Sequence, residues 1–186
     1  MISWESDMGK ALAKGKAEQK SILVEFFSPE CIGCKQMEEV TFPDLSVANF
    51  MIDKLVALKV PVASTALAGD FRVMWTPTLI MLDYYGREHF RSVGFVPPED
   101  MVPLMLLGQA KVAFDAGQFN ESVIQLNTLL NGNSQSIFAP EAVFLRGVSR
   151  FKESHQVQAL KDAQIQLARE YPGTEWQKKA EPYRLL

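Results

Sequence analysis

Apolar and polar positions along the chain fall into two regimes. Ser21 to Phe27 (SILVEFF), Leu55 to Val62 (LVALKVPV) and Thr78 to Asp83 (TLIMLD) are short apolar runs rich in β-branched and aromatic residues. Such runs, bounded by turn residues, predict buried strands. The second should end near Pro61, which has no amide to give to a ladder. Glu88 to Val93 alternates and comes after the Tyr84-Tyr85-Gly86 turn, so it predicts a fourth strand in a hairpin with the third. Helical spacing fills the gaps. Trp4, Met8, Leu12 and Gly15 predict an amphipathic helix over residues 3–19, and Val47, Phe50 and Met51 predict another over Leu45–Lys54. Between them a helix opens at Cys31 and is interrupted at Pro43. Ser64–Phe71 reads as a short helix and Arg72–Trp75 as a loop.

Beyond Val96-Pro97-Pro98-Glu99-Asp100, which opens a helix with proline at its entry and carboxylates in its first turn, the strand signals stop near Leu107. Pro103 is expected to kink that helix or delay its start. The rest of the chain carries helical spacing: Leu107, Ala110 and Phe114 share a face, as do Phe119, Val123, Leu126 and Leu130, and Val157, Leu160 and Leu167. Ala116-Gly117-Gln118, Asn131-Gly132-Asn133-Ser134 and Tyr171-Pro172-Gly173-Thr174 separate them. A closing helix is expected over Glu175–Tyr183. The pattern predicts an α/β domain over residues 1–107 and an all-α domain over residues 108–186.

Composition changes this picture little. Of 186 residues, 47% are hydrophobic and 22% charged, and the net charge is −3. These values are ordinary for a globular protein and give no reason to expect nucleic acid or an anionic membrane surface as partner. The apolar runs are too short to span a bilayer. Met1 to Asp7 lacks the basic-then-apolar pattern of a secretory leader, so a cytoplasmic setting is expected, or a periplasmic one if a leader has been removed.

Only two cysteines occur, in Cys31-Ile32-Gly33-Cys34, where a strand turns into a helix. Their separation puts both sulfurs at the first helical turn, close enough to join and part. The free amides and peptide dipoles of a helix N-terminus favour negative charge, which makes Cys31 the more acidic nucleophile and Cys34 the resolving thiol. Glu30 opposes this, since a neighbouring carboxylate disfavours a second charge, and Lys35 partly offsets it. A structural disulfide across so short a loop would remove little entropy from the unfolded chain. A metal site would need two more ligands, and His89 and His155 lie far apart in sequence, so no metal is expected. Two ordinary core cysteines are the remaining alternative.

The order helix, strand, Cys-x-x-Cys helix, strand, short helix, then Val73-x-x-Thr76-Pro77-Thr78 entering a hairpin with Gly86 and a later Gly94, resembles the thioredoxin fold. The N-terminal helix with its tryptophan, and Met37-Glu-Glu-Val-Thr-Phe42, are similar to the branch that includes the disulfide-carrying C-terminal domains of transmembrane reductases. The resemblance covers about residues 1–107 and implies a central mixed sheet flanked by helices. It implies that Pro77 is a cis-proline facing the cysteines, that Thr76 lends its backbone to an extended substrate, and that Ile32 and Gly33 touch the substrate too. Glu25 falls where the family has a buried acid that shuttles the resolving thiol's proton, and Lys59 where a lysine pairs with that acid. A carboxylate inside an apolar strand is desolvated and its pKa raised, which suits a general base. The alternatives are a Glu25 at a strand end in water and a solvated Lys59. Two departures stand out: Glu30 replaces an aromatic residue, and Ile-Gly replaces Gly-Pro. Trp75 flanks the proline where a small residue is usual, as either substrate surface or a core or lid residue.

In the second half, Phe119-Asn-Glu-Ser122 is echoed by Phe151-Lys-Glu-Ser154, and Ala110 by Ala142, both at a shift of 32 residues (151 − 119). Paired helices at such a period resemble tetratricopeptide repeats, about two units of them. Repeats of this kind either present a groove to a partner peptide or cap the neighbouring domain.

The function these residues imply is a cofactor-free thiol–disulfide oxidoreductase that acts on protein disulfides and is recharged by an electron-donor reductase. The alternative is an interaction module whose helical repeats recruit a peptide or protein partner, with a secondary redox centre. A third reading is a redox sensor.

Overall fold

A computed structural model describes residues 1–64 and 66–186 and divides the chain into two compact units, Met1–Gly108 and Gln109–Leu186. The first is built on a five-stranded sheet of β1 (Trp4–Glu5), β2 (Ser21–Phe27), β3 (Leu55–Pro61), β4 (Thr78–Leu82) and β5 (Glu88–Val93) in the order β1-β3-β2-β4-β5. β1, β3 and β2 are parallel; β4 and β5 form an antiparallel pair, with β4 antiparallel to β2. β2 lies at the centre and is buried from Ile22 to Phe26, which is why its sequence is nearly continuous in apolar residues rather than alternating.

Side chains on successive residues of a strand face opposite ways. Ile22, Val24 and Phe26 therefore join Val56, Leu58, Val60, Ile80 and Leu82 in one core, under Ala11 of α1 (Met8–Glu18). Leu23 and Glu25 face the other layer, beside Ala57, Lys59, Leu79 and Met81 in the pairing register. On that side Gly108 of α5 (Pro98–Asp115) comes so near Met81 that an added Cβ would sit 3.0 Å from its terminal methyl.

Several boundaries differ from the sequence expectation, each for a local reason. The helix expected over residues 3–19 begins at Met8, because the Asp7 carboxylate caps it by accepting from the Lys10 amide at 2.8 Å. Trp4 and Glu5 instead form a fifth strand beside Ala57 and Leu58, with the Trp4 ring edge-on to Phe42 at 5.0 Å. The helix opened by the cysteines is α2 (Ile32–Gln36), continued without a break by a π-helical turn over Met37–Thr41. Asp44 caps α3 (Leu45–Lys54) through the Ser46 and Val47 amides. The short helix expected over Ser64–Phe71 is a 3₁₀ turn at Val62–Ser64 and α4 at Leu67–Asp70; Thr65, inside that expected span, lies outside the described residues. α5 starts at Pro98 and continues past the buried Pro103, so the proline does not delay its start.

The second unit contains α6 (Phe119–Gly132), α7 (Ala139–Ser154), α8 (Gln158–Glu170), α9 (Glu175–Ala180) and a terminal 3₁₀ turn. The buried hydroxyls of Ser122 and Ser149 share a hydrogen bond at 3.2 Å. Gly147 lets α7 approach α8, since a Cβ there would fall 2.5 Å from that of Ala163. Arg146 of α7 donates to Asn127 of α6 and Gln166 of α8. The echo seen in the sequence is out of structural register: Phe119–Ser122 opens α6, whereas Phe151–Ser154 closes α7. The helix starts themselves are offset by 39 residues, from Phe119 of α6 to Gln158 of α8 (158 − 119).

Candidate active site

β2, the central strand, ends at Phe27, and Ser28-Pro29-Glu30 turns the chain, with the Cys31 amide donating to Ser28 O at 3.1 Å. Cys31 is the N-cap of α2. Its backbone is extended, its carbonyl accepts from Lys35, and its Sγ accepts from the Cys34 amide at 3.1 Å. A sulfur thus occupies the place usually taken by a serine or aspartate oxygen. Both cysteines are free; Cys31 is part exposed and Cys34 is only 3% exposed.

The two thiols differ in acidity. Burial pushes Cys31 up, but hydrogen bonds from the Cys34 side chain, from Thr76 and from the Cys34 and Gly33 backbone outweigh it, leaving Cys31 below the ordinary thiol. Cys34 is pushed up to about 11 by burial, by its hydrogen bond to Cys31 and by the charge that Cys31 takes. The opposition expected from Glu30 does not prevail. Its carboxylate accepts from the Ser28 hydroxyl at 2.6 Å in open solvent, and Cys31 falls below the ordinary value with Glu30 beside it.

Facing the cysteines, the Thr76–Pro77 peptide is cis. The loop is pinned on both sides: the Thr78 hydroxyl donates to Trp75 O at 2.7 Å, and the Gly94 amide donates to Pro77 O at 2.8 Å. Gly33 is needed for close approach, because a Cβ at that position would lie 3.0 Å from Pro77 Cδ. Around Cys31 opens a cleft of about 610 Å³, lined by Gly33, Thr76 and Pro77 and by exposed apolar side chains. Those side chains are Ile32, Met74, Trp75 and Phe95, and Trp75 is 69% exposed.

Glu25 is fully buried, and among the described residues Lys59 is the group that reaches its carboxylate. Desolvation pushes it up to about 7, against the attraction of Lys59, whose Nζ lies 3.4 Å from Oε2. Lys59 is shared. It also pairs with Glu38 of the π turn and sits over the rings of Phe27 at 4.8 Å and Trp4 at 5.5 Å. The sequence reading missed Glu38, Met74 and Phe95. A carboxylate one turn after Cys34 was the available signal for Glu38; the other two are loop residues recruited by the fold alone. Among the described residues no group of three or more His, Cys, Asp or Glu side chains converges on one point, and no helix is long and apolar enough to cross a membrane.

A family profile described as a thioredoxin-like domain matches residues 8–109, more than half of the chain. The thiol:disulfide interchange protein DsbD of Escherichia coli (strain K12) is 29% identical over 105 residues, which are 53% of this chain and 18% of that protein. The protein of the same name from Pseudoalteromonas atlantica is 26% identical over 87 residues, 44% of this chain and 14% of that protein. The chain therefore spans less than a fifth of the length of these curated relatives. Among solved structures, a thioredoxin from Thermus thermophilus superposes with a TM-score of 0.51 at 26% identity, covering 59% of this chain and 91% of the other.

Proposed function

The chain belongs to the thioredoxin-like domain family and its first unit has the thioredoxin fold, and from that premise we propose that it is a thiol–disulfide oxidoreductase acting on protein disulfides through Cys31 and Cys34. The observation that carries the reading is the asymmetry of the pair. Cys31 caps a helix, opens on an apolar cleft and is held below the ordinary thiol pKa, while Cys34 is buried and held above it. The thiolate is the species that attacks, so the accessible sulfur is the one equipped to begin.

In the first step the Cys31 thiolate attacks one sulfur of a substrate disulfide. The substrate S–S bond breaks, a mixed disulfide forms, and the released substrate thiolate takes a proton from solvent. Cys34 then gives up its proton and attacks Cys31 Sγ, which breaks the mixed disulfide and releases the second substrate thiolate. The substrate gains two electrons and the Cys31–Cys34 pair is oxidised to an intramolecular disulfide. A dithiol donor reverses that oxidation by the same chemistry.

In the mixed disulfide Cys31 no longer carries a charge, but Cys34 is still buried and must give up its proton, and Glu25 at about 7 has the affinity for a proton that suits neutral pH. Lys59 steadies the carboxylate once it is ionised. Ile32, Gly33, Trp75, Thr76 and Pro77 form the surface on which the substrate segment lies. The test is trapping. With Cys34→Ser, a disulfide-bonded protein should accumulate as a covalent adduct at Cys31, resolved only by added thiol, and Cys31→Ser should form no adduct and turn nothing over. Undiminished turnover by Cys31→Ser would overturn the assignment.

A further inference from the structure

The cleft beside Cys31 is mostly apolar, with Ser28, Glu30 and Thr76 as its polar side chains beside the cysteine. Apart from the Cys31 thiolate itself, Glu30 is the one charged side chain among the described residues that line it, and it immediately precedes the nucleophile. The Ser28 hydroxyl donates to Glu30 Oε2 at 2.6 Å, and Glu30 is exposed. That hydrogen bond, with one from its own backbone amide and a smaller attraction from Lys35, lowers its pKa, so the carboxylate stays ionised wherever the thiolate is present. Lys35 does not line the cleft. Ile32, Met74 and Phe95 add only hydrocarbon and sulfur to the lining, so apart from the Cys31 thiolate no other charge there answers a charged group on the substrate.

We infer that this cleft selects disulfides flanked by a lysine or arginine, and that Glu30 is the residue that reads that charge. The inference rests on the oxidoreductase reading above and specifies its substrate class. A cation beside the scissile disulfide meets two negative charges, the Glu30 carboxylate and the Cys31 thiolate, and seats its hydrocarbon stem on the apolar wall. A carboxylate in the same place is repelled by both. Exposed charge pairs are individually modest, so attraction of one peptide and repulsion of the other together give a cation-over-anion preference of about three- to tenfold in kcat/KM, weakening with salt.

The experiment uses the full chain and three peptides with an intramolecular disulfide that differ in one residue beside a half-cystine: lysine, glutamine or glutamate. Rates are normalised to reduction of the same peptides by dithiothreitol, which removes their intrinsic reactivity. The lysine peptide should be preferred over the glutamate peptide about three- to tenfold. Glu30→Gln should lower that ratio to the smaller preference the Cys31 thiolate alone gives, and Glu30→Lys should lower it further, whatever each variant does to the common rate. A ratio unchanged in both variants overturns the inference, and if the glutamine peptide is still reduced the oxidoreductase reading stands without it. If the wild type reduces none of the three, both fall.

Discussion

Replacing Glu25 by glutamine should make the protein more stable and a poorer catalyst, and the size of the first effect follows from the burial of the carboxyl. Glu25 is pushed up to about 7 in the folded chain, against an ordinary glutamate value of about 4.3 at roughly 1.4 kcal/mol per pH unit. A carboxyl with a raised folded-state pKa holds its proton more tightly when folded. That advantage is complete below about pH 4 and is lost as the pH climbs through about 7. Glutamine has the same shape and never ionises. The stability of Glu25→Gln relative to wild type should therefore rise by about 2 to 3 kcal/mol between pH 5 and pH 8 and level off above that, near 3 to 4 kcal/mol in all. Loss of the Lys59 contact subtracts little, because Lys59 keeps Glu38. Urea denaturation of both proteins, reduced, at pH 5, 6, 7 and 8 measures it. A gap that stays constant across this range, to within about 0.5 kcal/mol, would show that Glu25 does not titrate as a buried acid and would remove it from proton transfer.

Other expectations come from the same geometry. Glu38→Gln hands Lys59 entirely to Glu25 and removes a negative neighbour, so the Glu25 midpoint, monitored by carboxyl NMR, should move below about 7; an upward move or none would show that the lysine is not shared. Gly33→Ala should gain about 1 kcal/mol from helix propensity and lose about 1 to 3 from crowding Pro77. Its thermal midpoint should therefore not rise, whereas a clear stabilisation would mean that the Pro77 ring yields freely. Trp75→Ala, at a position 69% exposed, should leave stability within about 0.5 kcal/mol yet lower kcat/KM on protein disulfides about tenfold through lost contact area. An unchanged kcat/KM would take Trp75 out of the substrate surface.

Much of this arrangement was legible in the sequence because its signals are local. β2 to β5 announce themselves as short apolar or alternating runs, and Cys31 and Cys34 as a pair at a strand-to-helix turn. The parts that were not legible depend on distant partners. β1 is two residues long and exists because β3 offers Ala57 and Leu58 as an edge. The π turn that carries Glu38 to Lys59 has no period of its own in so short a stretch. Glu30 was expected to weaken the nucleophile, and only the Ser28 hydrogen bond and the cleft around it show where the carboxylate goes. In the second unit the echoed Phe-x-Glu-Ser motif matched letters rather than positions, since it opens one helix and closes another.

The central claim, that Cys31 and Cys34 act as one two-electron centre, is tested most directly by their redox titration. The protein is equilibrated in glutathione or dithiothreitol buffers of graded potential, free thiols are trapped, and adducts are counted by mass. Cooperation predicts that both thiols disappear together, with no one-thiol species at equilibrium and a tenfold change in the oxidised-to-reduced ratio per about 30 mV. A midpoint near about −270 mV would fit a disulfide reductase, and one between roughly −180 and −120 mV an isomerase or oxidant. Two cysteines that titrate independently, or that form only mixed disulfides with the buffer thiol, would contradict the claim.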